Sequence, residues 1–255
     1  MKIVLIGSGN IATFFGSKFQ AAGFEMVQVI SYHMSHAEQL AQQFACPFSD
    51  NIQLIDRNAD VYLFAVKDDV LLEMAKSISL PDKLVIHTAG SIHLSELAIM
   101  SNRLACLWCV YSINKKELPE AKDIPLVVNY LDAADGAVVN ILAKSISTKQ
   151  YHLDDHQKSV LHLAAVFANN FTNHLFTICK KIVEKEGVPF EILFPIISDT
   201  AGKALGGEPE TLQTGPASRG DEETMRKHQL LLNNQSDFLQ IYEVLSKSIA
   251  AGAKK

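Results

Sequence analysis

The sequence has little of what marks several large classes of protein. It contains only four cysteines in 255 residues, unevenly spaced, which is not the pattern of a disulfide framework. Acidic residues outnumber basic ones, 28 to 23, and the net charge of −5 argues against a dedicated nucleic-acid binder. No apolar run approaches the roughly 20 residues that cross a bilayer, and Gly7 interrupts the first run too early for a signal peptide. We therefore expect a cytoplasmic protein with no nucleic-acid or membrane partner.

The first 150 residues alternate short apolar runs with stretches of helical periodicity. Continuous apolar strands separated by helices are typical of a parallel sheet that is covered on both faces. The predicted strands are Lys2–Ile6, Met26–Ser31, Val61–Val66, Leu84–His87, Leu104–Val110 and Leu126–Asn129. The predicted helices include Ile11–Ala22, His36–Phe44 and Val70–Ser79. The pattern predicts an α/β domain over residues 1–150, with a doubly wound, mostly parallel sheet.

The remaining residues follow a different pattern. Helical periodicity covers Asp154–Glu186, with acidic residues first and lysines last, the charge order that a helix dipole favours. Two further helices are predicted at Phe190–Leu205, which Pro195 should start or kink, and at Asp221–Ile249. No strand pattern recurs after Tyr151–Leu153. We expect residues 151–255 to form an all-helical second domain.

A glycine-rich turn follows the first predicted strand and opens the first helix. It has the pattern G-x-G-x-x-A, formed by Gly7, Ser8, Gly9, Asn10, Ile11 and Ala12. The first glycine permits a tight turn, the second lets the backbone approach a pyrophosphate, and the small third residue lets helix and strand pack closely. Free N–H groups at the helix start can bind the phosphates. This context favours a Rossmann-type dinucleotide site over a turn that serves geometry only.

The end of the second strand favours NADP over NAD. Sites for NAD commonly place a carboxylate here, which binds the ribose 2′-hydroxyl. This sequence has Ser31, Tyr32, His33 and His36 in the region, with no carboxylate among them. A 2′-phosphate would tolerate hydroxyls and imidazoles better than it would tolerate a carboxylate. The arginine that usually pairs with the phosphate is missing as well, so the positive charge would come from a histidine. The alternative is an exposed loop that distinguishes neither form.

Two later strand ends should face the same ligand, because ligands of open α/β sheets lie beyond the carboxyl ends of the strands. The residues predicted to contact the cofactor there are Ala65, Val66 and Lys67 along the ribose, with Thr88 and Ala89 near the nicotinamide. His87 immediately precedes the second group and is a candidate proton donor. It could equally be a satisfied histidine at a strand end.

One face of the first long helix of the second half carries amides and imidazoles rather than lysine and glutamate. At about 100° per residue, His162, Asn169 and Asn173 fall on one stripe, and Asn170 continues it sideways. Neutral hydrogen-bonding groups of this kind suit a half-buried cleft in which they orient a substrate. The alternative is a polar seam between helices or in a dimer interface.

A rigid turn precedes the last predicted helix and contains Thr214 and Arg219. Arg219 could clamp a substrate carboxylate with two parallel hydrogen bonds, or it could pair with Asp221 and only shape the loop. Asp221 is itself a plausible N-cap. Lys203, in the preceding helix, is a candidate proton donor, although a lone exposed lysine usually only contacts solvent.

The pair Cys106 and Cys109 has the C-x-x-C spacing of redox and zinc motifs. Here it lies in a predicted strand, where residues three apart point to opposite faces. Buried structural thiols are the better interpretation, and we predict no metal site.

Taken together, these motifs resemble those of Rossmann-type NADP oxidoreductases whose C-terminal half is a helical domain of unknown function. Distant relatives of that family are pyrroline-5-carboxylate reductase, ketopantoate reductase and deazaflavin-dependent NADP oxidoreductases. The segments that carry the resemblance are the glycine turn, His87–Ser91, Leu161–Phe167, Asn170–His174, Gln213–Ala217 and Arg219–Asp221. The chain departs from the family after the fifth strand, where Trp108–Ile113 replaces a segment expected to read like Tyr-Pro-Leu-Gln-Thr-Phe.

The resemblance implies NADP(H) at the glycine turn, a small-molecule substrate in a cleft between the domains, and a homodimer formed through the helical domain. The leading hypothesis is an oxidoreductase that transfers a hydride to or from a small imine or carbonyl compound. In it His162, Asn169 and Asn173 contact the reacting group. The alternative, suggested by the altered segment Trp108–Ile113, is a sensor or regulatory protein that binds NADP(H) without turnover.

Overall fold

Eight strands form one sheet within residues 1–252, the part of the chain that this computed structural model describes. The strands are β1 (Lys2–Ile6), β2 (Glu25–Ile30), β3 (Phe48–Ser49), β4 (Val61–Phe64), β5 (Leu84–His87), β6 (Arg103–Cys109), β7 (Leu126–Tyr130) and β8 (Gln150–His152). Their order in the sheet is β3-β2-β1-β4-β5-β6-β7-β8. Neighbours run parallel except β6 and β7, which are antiparallel. This confirms the doubly wound, mostly parallel sheet.

The helices alternate with the strands up to β8 and then follow one another. They are α1 (Asn10–Ala21), α2 (Met34–Phe44), α3 (Asp68–Ser77), α4 (Ala133–Lys144), α5 (Asp155–Ala165), α6 (Thr172–Lys185), α7 (Phe194–Ala204), α8 (Pro216–Arg219), α9 (Glu222–Leu231) and α10 (Ser236–Gly252). Short 3-10 segments lie at Ile52–Leu54, Leu94–Leu97, Ala121–Asp123, Phe190–Leu193 and Pro209–Leu212. The C-terminal region is therefore helical, as predicted.

The core lies on both faces of the sheet, because alternate side chains of each strand point in opposite directions. In β1, Ile3 and Leu5 pack in one apolar cluster, whereas Val4 and Ile6 pack in the other. Cys106 and Cys109 of β6 likewise belong to opposite clusters. Strands that are buried on both faces explain the continuous apolar runs in the sequence.

The order of the strands places the carboxyl ends of β2, β1, β4 and β5 along one edge of the sheet. The chain starts at β1, proceeds outward to β2 and β3, and then crosses back to β4 on the other side of β1. The strand order therefore reverses direction between β1 and β4. That switch point is where open α/β sheets bind ligands.

Two of the predicted elements differ in the structure. The helix predicted at Asp221–Ile249 is wrong, because it is two helices, α9 and α10, separated by a turn in which the Gln235 N–H bonds to the Leu232 carbonyl. Asn233 and Asn234 occupy that turn, and asparagine side chains compete with the helical backbone for hydrogen bonds. Helix α4 and the short strand β3 were not predicted, and β8 places Tyr151 and His152 in the sheet, although residues 151–255 were predicted to be all-helical.

The long helix predicted at Asp154–Glu186 is helical throughout its middle but not regular. Its first half is α5 and its second half is α6, and the segment Val166–Phe171 between them is a π-helix. Hydrogen bonds from i to i+5 place more residues in each turn than an α-helix does. The uniform angular spacing that put His162, Asn169 and Asn173 on one stripe therefore does not hold across this segment.

The chain divides into two compact units, Met1–Ala168 and the residues from Asn169 onward. The first contains the whole sheet and α5. The second contains α6 to α10. The domain boundary predicted at residue 150 stays a prediction. In the described residues, no helix is both long and apolar enough to cross a membrane.

Candidate functional site

The glycine turn adopts a backbone conformation that requires its first glycine. Gly7 has a φ of +117°, and a methyl group there would lie 2.2 Å from the carbonyl oxygen of Ala65. The Gly7 N–H bonds to the Ile30 carbonyl at 2.7 Å, so the turn is fastened to β2 as well. A side chain at Gly7 would both strain the backbone and separate β1 from the end of β4.

The second and third small residues of the motif have different surroundings. A methyl group at Gly9 would meet no heavy atom within 4 Å, so that side of the turn is open. Ala12, in contrast, is fully buried and packs α1 against the sheet. No acidic residue occupies the first turn of α1, and its free N–H groups and dipole make the turn suitable for an anion.

A cavity of about 620 Å³ opens in the first unit at the carboxyl ends of the strands. It brings together most of the residues predicted to bind a cofactor, namely Gly7, Ser8, Gly9, Asn10, Ile11, Ser31, Tyr32, His33, Ala65, Val66, Lys67, Thr88 and Ala89. His162, predicted as a substrate contact, lines the same cavity. The volume lies in the range of small-molecule sites.

The cavity has further lining residues outside the predicted cofactor contacts, namely Ile6, Ile30, Asp68, Val70, Met74, Gly90 and Trp108. Most of them directly adjoin a predicted position, as Ile6 adjoins Gly7 and Gly90 adjoins Ala89. Met74 lies further along α3, on the face that carries Val70, and helical spacing could have found it. Trp108 comes from β6, and no local sequence signal indicates that its ring reaches this cavity.

Hydroxyl and imidazole groups surround the end of β2. The Ser8 and Ser31 hydroxyl oxygens lie 2.6 Å apart in a hydrogen bond, which joins the glycine turn to β2. Tyr32 is 85% exposed, and its ring lies edge-on to that of His33, with centroids 5.0 Å apart. The His33 ring in turn meets that of His36 at 5.1 Å.

The opposite end of the cavity is formed by aromatic rings packed against a glycine. The rings of Trp108 and His162 lie edge to face with centroids 5.6 Å apart. A methyl group at Gly90 would lie 2.7 Å from His162 Cδ2 and 2.8 Å from Trp108 Cε2. Gly90 is therefore needed for the rings to come so close. We call Gly90, Trp108 and His162 the aromatic wall.

Two side-chain hydrogen bonds fix the rim of the cavity. The Ser91 hydroxyl donates to the carboxylate of Asp68, which joins the loop after β5 to the start of α3. The carboxamide oxygen of Asn10 accepts from the Lys115 N–H at 3.2 Å, so the loop after β6 is fastened to the glycine turn.

His87 lies beneath the cavity rather than in its lining. It is fully buried, its Nδ1 accepts from the Ala89 N–H at 3.3 Å, and its Nε2 has no hydrogen-bond partner among the described residues. Burial, together with the positive charge of Lys158, lowers the pKa of His87 to about 3. A neutral, enclosed imidazole supports a structural role better than a proton-donating one.

Six of the predicted site residues belong to the second unit. Asn169, Asn170, Asn173, Lys203, Thr214 and Arg219 are all exposed. The amine of Lys203 pairs with the carboxylate of Asp199 one helical turn earlier. Asp221 caps α9 as predicted, because its carboxylate accepts from the Thr224 N–H at 3.0 Å. The roles predicted for these six side chains stay predictions.

The cysteines have the surroundings of structural thiols. Cys106 and Cys109 are buried on opposite sides of β6, and burial raises the pKa of each thiol to about 12. Within residues 1–252, no three histidine, cysteine or acidic side chains are grouped so as to hold a metal ion. The spacing of Cys106 and Cys109 is thus incidental to strand packing.

The fold and the cavity define a Rossmann-type dinucleotide-binding protein with a helical C-terminal region. The family described as "NADP oxidoreductase coenzyme F420-dependent" matches residues 2–90, and a domain of unknown function, DUF2520, matches residues 124–249. A protein of Bacteroides fragilis named as a candidate NADP oxidoreductase is 32% identical, with a TM-score of 0.89 and 98% of each chain covered. The chain belongs to this NADP oxidoreductase family.

More distant solved structures share the fold. An imine reductase of Myxococcus stipitatus in complex with NADP+ is 14% identical, with a TM-score of 0.71 and coverage of 100% of this chain and 94% of that one. A 1-pyrroline-5-carboxylate reductase of Streptococcus pyogenes is 15% identical, with a TM-score of 0.62 and 98% of each chain covered. No curated protein matches the sequence.

Proposed function

We propose that the protein binds NADP(H) in the cavity at the glycine turn. The observation that carries this proposal is the conformation of Gly7, tight against Ala65, beside the open backbone at Gly9. The N–H groups at the start of α1 would hold the pyrophosphate. His33 and His36 would face the 2′-phosphate, with Ser31 at the position where NAD sites place a carboxylate. The aromatic wall would lie at the nicotinamide end.

We further propose that the protein transfers a hydride to or from a small imine or carbonyl compound. When bound, the nicotinamide supplies the hydride. Within the first unit, His162 is the candidate residue that would orient the reacting group or donate a proton to it, because its ring lines the cavity. Asn169, Asn170, Asn173, Thr214 and Arg219 are proposed as substrate contacts, and Lys203 as a further proton donor. The substrate class follows the family resemblance.

The first experiment titrates the purified protein with NADPH and with NADH. Trp108 is the only tryptophan and lies in the aromatic wall, so its fluorescence reports on the nicotinamide end of the cavity. Calorimetry supplies an independent measure of affinity. We expect tight binding of NADPH and much weaker binding of NADH. If neither binds, the proposed function fails at its first step.

A second experiment tests turnover with a panel of keto acids, cyclic imines and flavins, followed by oxidation of NADPH. Once a substrate is found, Asn169→Ala should lower kcat while leaving NADPH affinity unchanged. Asn234→Ala, an exposed asparagine in the turn between α9 and α10, is the matched control and should change neither. If the Asn169→Ala enzyme turned over its substrate normally, the proposed role of Asn169 as a substrate contact would be wrong.

A protein that senses NADP(H) without turnover is the second candidate. The altered segment Trp108–Ile113 favours it, because the family residues expected there are absent from this chain. Saturable NADPH binding with no oxidation across the whole panel would support this alternative over the enzyme.

We also propose that the chain forms a homodimer through its helical unit. Among the described residues from Asn169 onward, only Ile178, Ala217 and Leu232 are buried hydrophobics. Many large apolar side chains of the same unit are exposed, namely Phe171, Val188, Ile192, Phe194, Ile196, Leu205, Leu212, Leu230, Leu231, Val244 and Leu245. Exposed apolar surface of this extent marks an interaction site, and a second copy is the partner that the family resemblance implies.

A further inference from the structure

A fully buried lysine, Lys158, lies in α5 four residues before His162 of the aromatic wall. Lys158 has no exposed surface, and its amine donates to the Ile92 carbonyl and, at 2.9 Å, to the carboxylate of Asp155. An ammonium group removed from water is costly unless it is paired, and an apolar side chain of similar size is often as stabilising as a buried ion pair. Stability alone therefore does not account for a charged pair at this position.

Asp155 joins three separate parts of the first unit. Its carboxylate accepts from the Leu94 N–H at 2.9 Å and from the Asn129 amide at 3.1 Å, in addition to Lys158. Leu94 begins the 3-10 segment that follows the loop after β5, and Asn129 belongs to β7. Burial alone would raise the pKa of Asp155, but the hydrogen bonds from Lys158 and from the Leu94 N–H, together with the charge of Lys158, hold that pKa below its ordinary value. The carboxylate is thus charged at neutral pH and pairs with the lysine.

The pair sits one helical turn before the residue that reaches the cavity. Lys158 and His162 are four residues apart in α5, so their side chains lie on the same side of the helix. Lys158 is fastened to the carbonyl of Ile92, two residues beyond Gly90 in the same loop. The bonds of Lys158 and Asp155 therefore fix the rotation of α5 against the loop that carries Gly90.

We propose that Lys158 and Asp155 are positioning residues that set the aromatic wall for the nicotinamide end of a bound dinucleotide. The aromatic wall has little room for movement, because His162 and Trp108 already lie so close to Gly90 that a methyl group there would not fit. A small rotation of α5 would move the imidazole into the cavity or away from it. This inference rests on the proposed binding of NADP(H), and its test separates the two.

The test compares two nucleotides that share the adenine end. NADPH has a nicotinamide, whereas adenosine 2′,5′-bisphosphate has the 2′-phosphate but no nicotinamide. In Lys158→Met we expect NADPH affinity to fall by at least about tenfold, with the affinity for the bisphosphate unchanged. Energy transfer from Trp108 to bound reduced nicotinamide, at saturating NADPH, should also decrease. A purely structural loss would weaken both ligands together.

Two further variants keep the comparison decisive. Asp155→Leu/Lys158→Met removes both charges, so it should remain folded even where the single variant leaves a buried carboxylate unpaired. The double variant should still lose affinity for NADPH but not for the bisphosphate, because the hydrogen bonds to Ile92 and Leu94 are gone. Lys144→Met removes an exposed helical lysine of the same unit and should bind both nucleotides as the wild type does.

The outcomes distinguish failure of the positioning role from failure of the proposed NADP(H) binding on which it rests. If the wild type binds NADPH but the double variant binds it equally well, or loses both nucleotides equally, the positioning role is overturned and the proposed function stands. If the wild type binds neither nucleotide, the proposed function fails and the inference fails with it.

Discussion

Gly7 and Gly9 stand two residues apart and are constrained for different reasons. Gly7 is required by the fold, because its φ is +117° and a methyl group would meet the Ala65 carbonyl. Gly9 has ordinary dihedral angles and open space around it, so only a ligand would need it to lack a side chain. The same residue type can therefore serve stability in one position and binding in the other.

This difference gives a prediction that separates the two roles. Gly7→Ala should lower the free energy of unfolding by about 1–3 kcal/mol, because it imposes a strained backbone conformation, and should abolish NADPH binding. Gly9→Ala should leave the unfolding midpoint unchanged and weaken NADPH by at least about tenfold. Urea titration and calorimetry measure both. Unimpaired NADPH binding by Gly9→Ala would contradict the phosphate assignment.

His87 predicts how stability depends on pH. Its pKa is about 3 in the folded chain, lowered by burial and by the charge of Lys158, against an ordinary 6.5. Between those values the unfolded chain binds a proton at His87 that the native state excludes, so the contribution of His87 to stability falls as the pH falls below about 6.5. The slope from this one group should approach about 1.4 kcal/mol per pH unit.

The measurement is urea unfolding at about pH 7 and about pH 5. The control is His87→Asn, whose amide oxygen can still accept from the Ala89 N–H but which does not titrate. The variant should lose less stability over this interval than the wild type. Equal losses would mean that His87 is protonated in the native state. Asp155 does not confuse the comparison, because its pKa is lowered from 3.8 and it stays charged throughout.

At the scale of single elements, the sheet was the most predictable part. The six predicted strands lie within one or two residues of the observed ones, because each is a continuous apolar run that packs on both sides. The glycine-rich turn at Gly7–Ala12 could be predicted equally well, because its conformation depends on neighbouring residues in the sequence. Strand β3 has two residues and α4 has an apolar, weakly amphipathic sequence, so neither gave a clear signal.

Tertiary contacts explain what the sequence did not reveal of the site. The ring of Trp108 reaches the cavity from β6, and the buried amine of Lys158 bonds to the carbonyl of Ile92, which lies in the loop after β5. No local period or motif carries such information. The π-helix at Val166–Phe171 was missed because the angular analysis assumed a uniform α-helix.

The π-helix gives a prediction at this scale. Its i to i+5 hydrogen bonds are rarer and less favourable than those of α5 and α6, and most of its side chains are exposed. Backbone amides of Val166–Phe171 should therefore exchange with solvent faster than those in the middle of α6, which contains the buried Ile178. Hydrogen exchange with mass spectrometry resolves the two segments. Equal protection would show that the irregular segment opens no more easily than its neighbours.

The whole molecule should be a dimer in solution. Light scattering during gel filtration should give twice the chain mass of 28.1 kDa. Ile192 and Ile196 are 64% and 62% exposed, and Ile192→Asp/Ile196→Asp should shift the protein toward monomer because buried carboxylates would oppose association. Lys181→Asp, a change of an exposed side chain on α6, is the control. A monomeric wild type would contradict the dimer.

The antiparallel pairing of β6 and β7 has a consequence for the direction in which a ligand would lie. Helix α1 leaves a strand that points at the cavity, so it presents its amino end there, with a positive dipole. Strand β8 runs in the opposite direction to β1, so α5, which follows β8, runs back toward the cavity. The side of α5, rather than its amino end, faces the cavity there, and the uncharged ring of Trp108 lies beside it. One end of the cavity thus attracts negative charge and the other does not. A dinucleotide would be oriented by this polarity before any specific contact with its base or its nicotinamide formed.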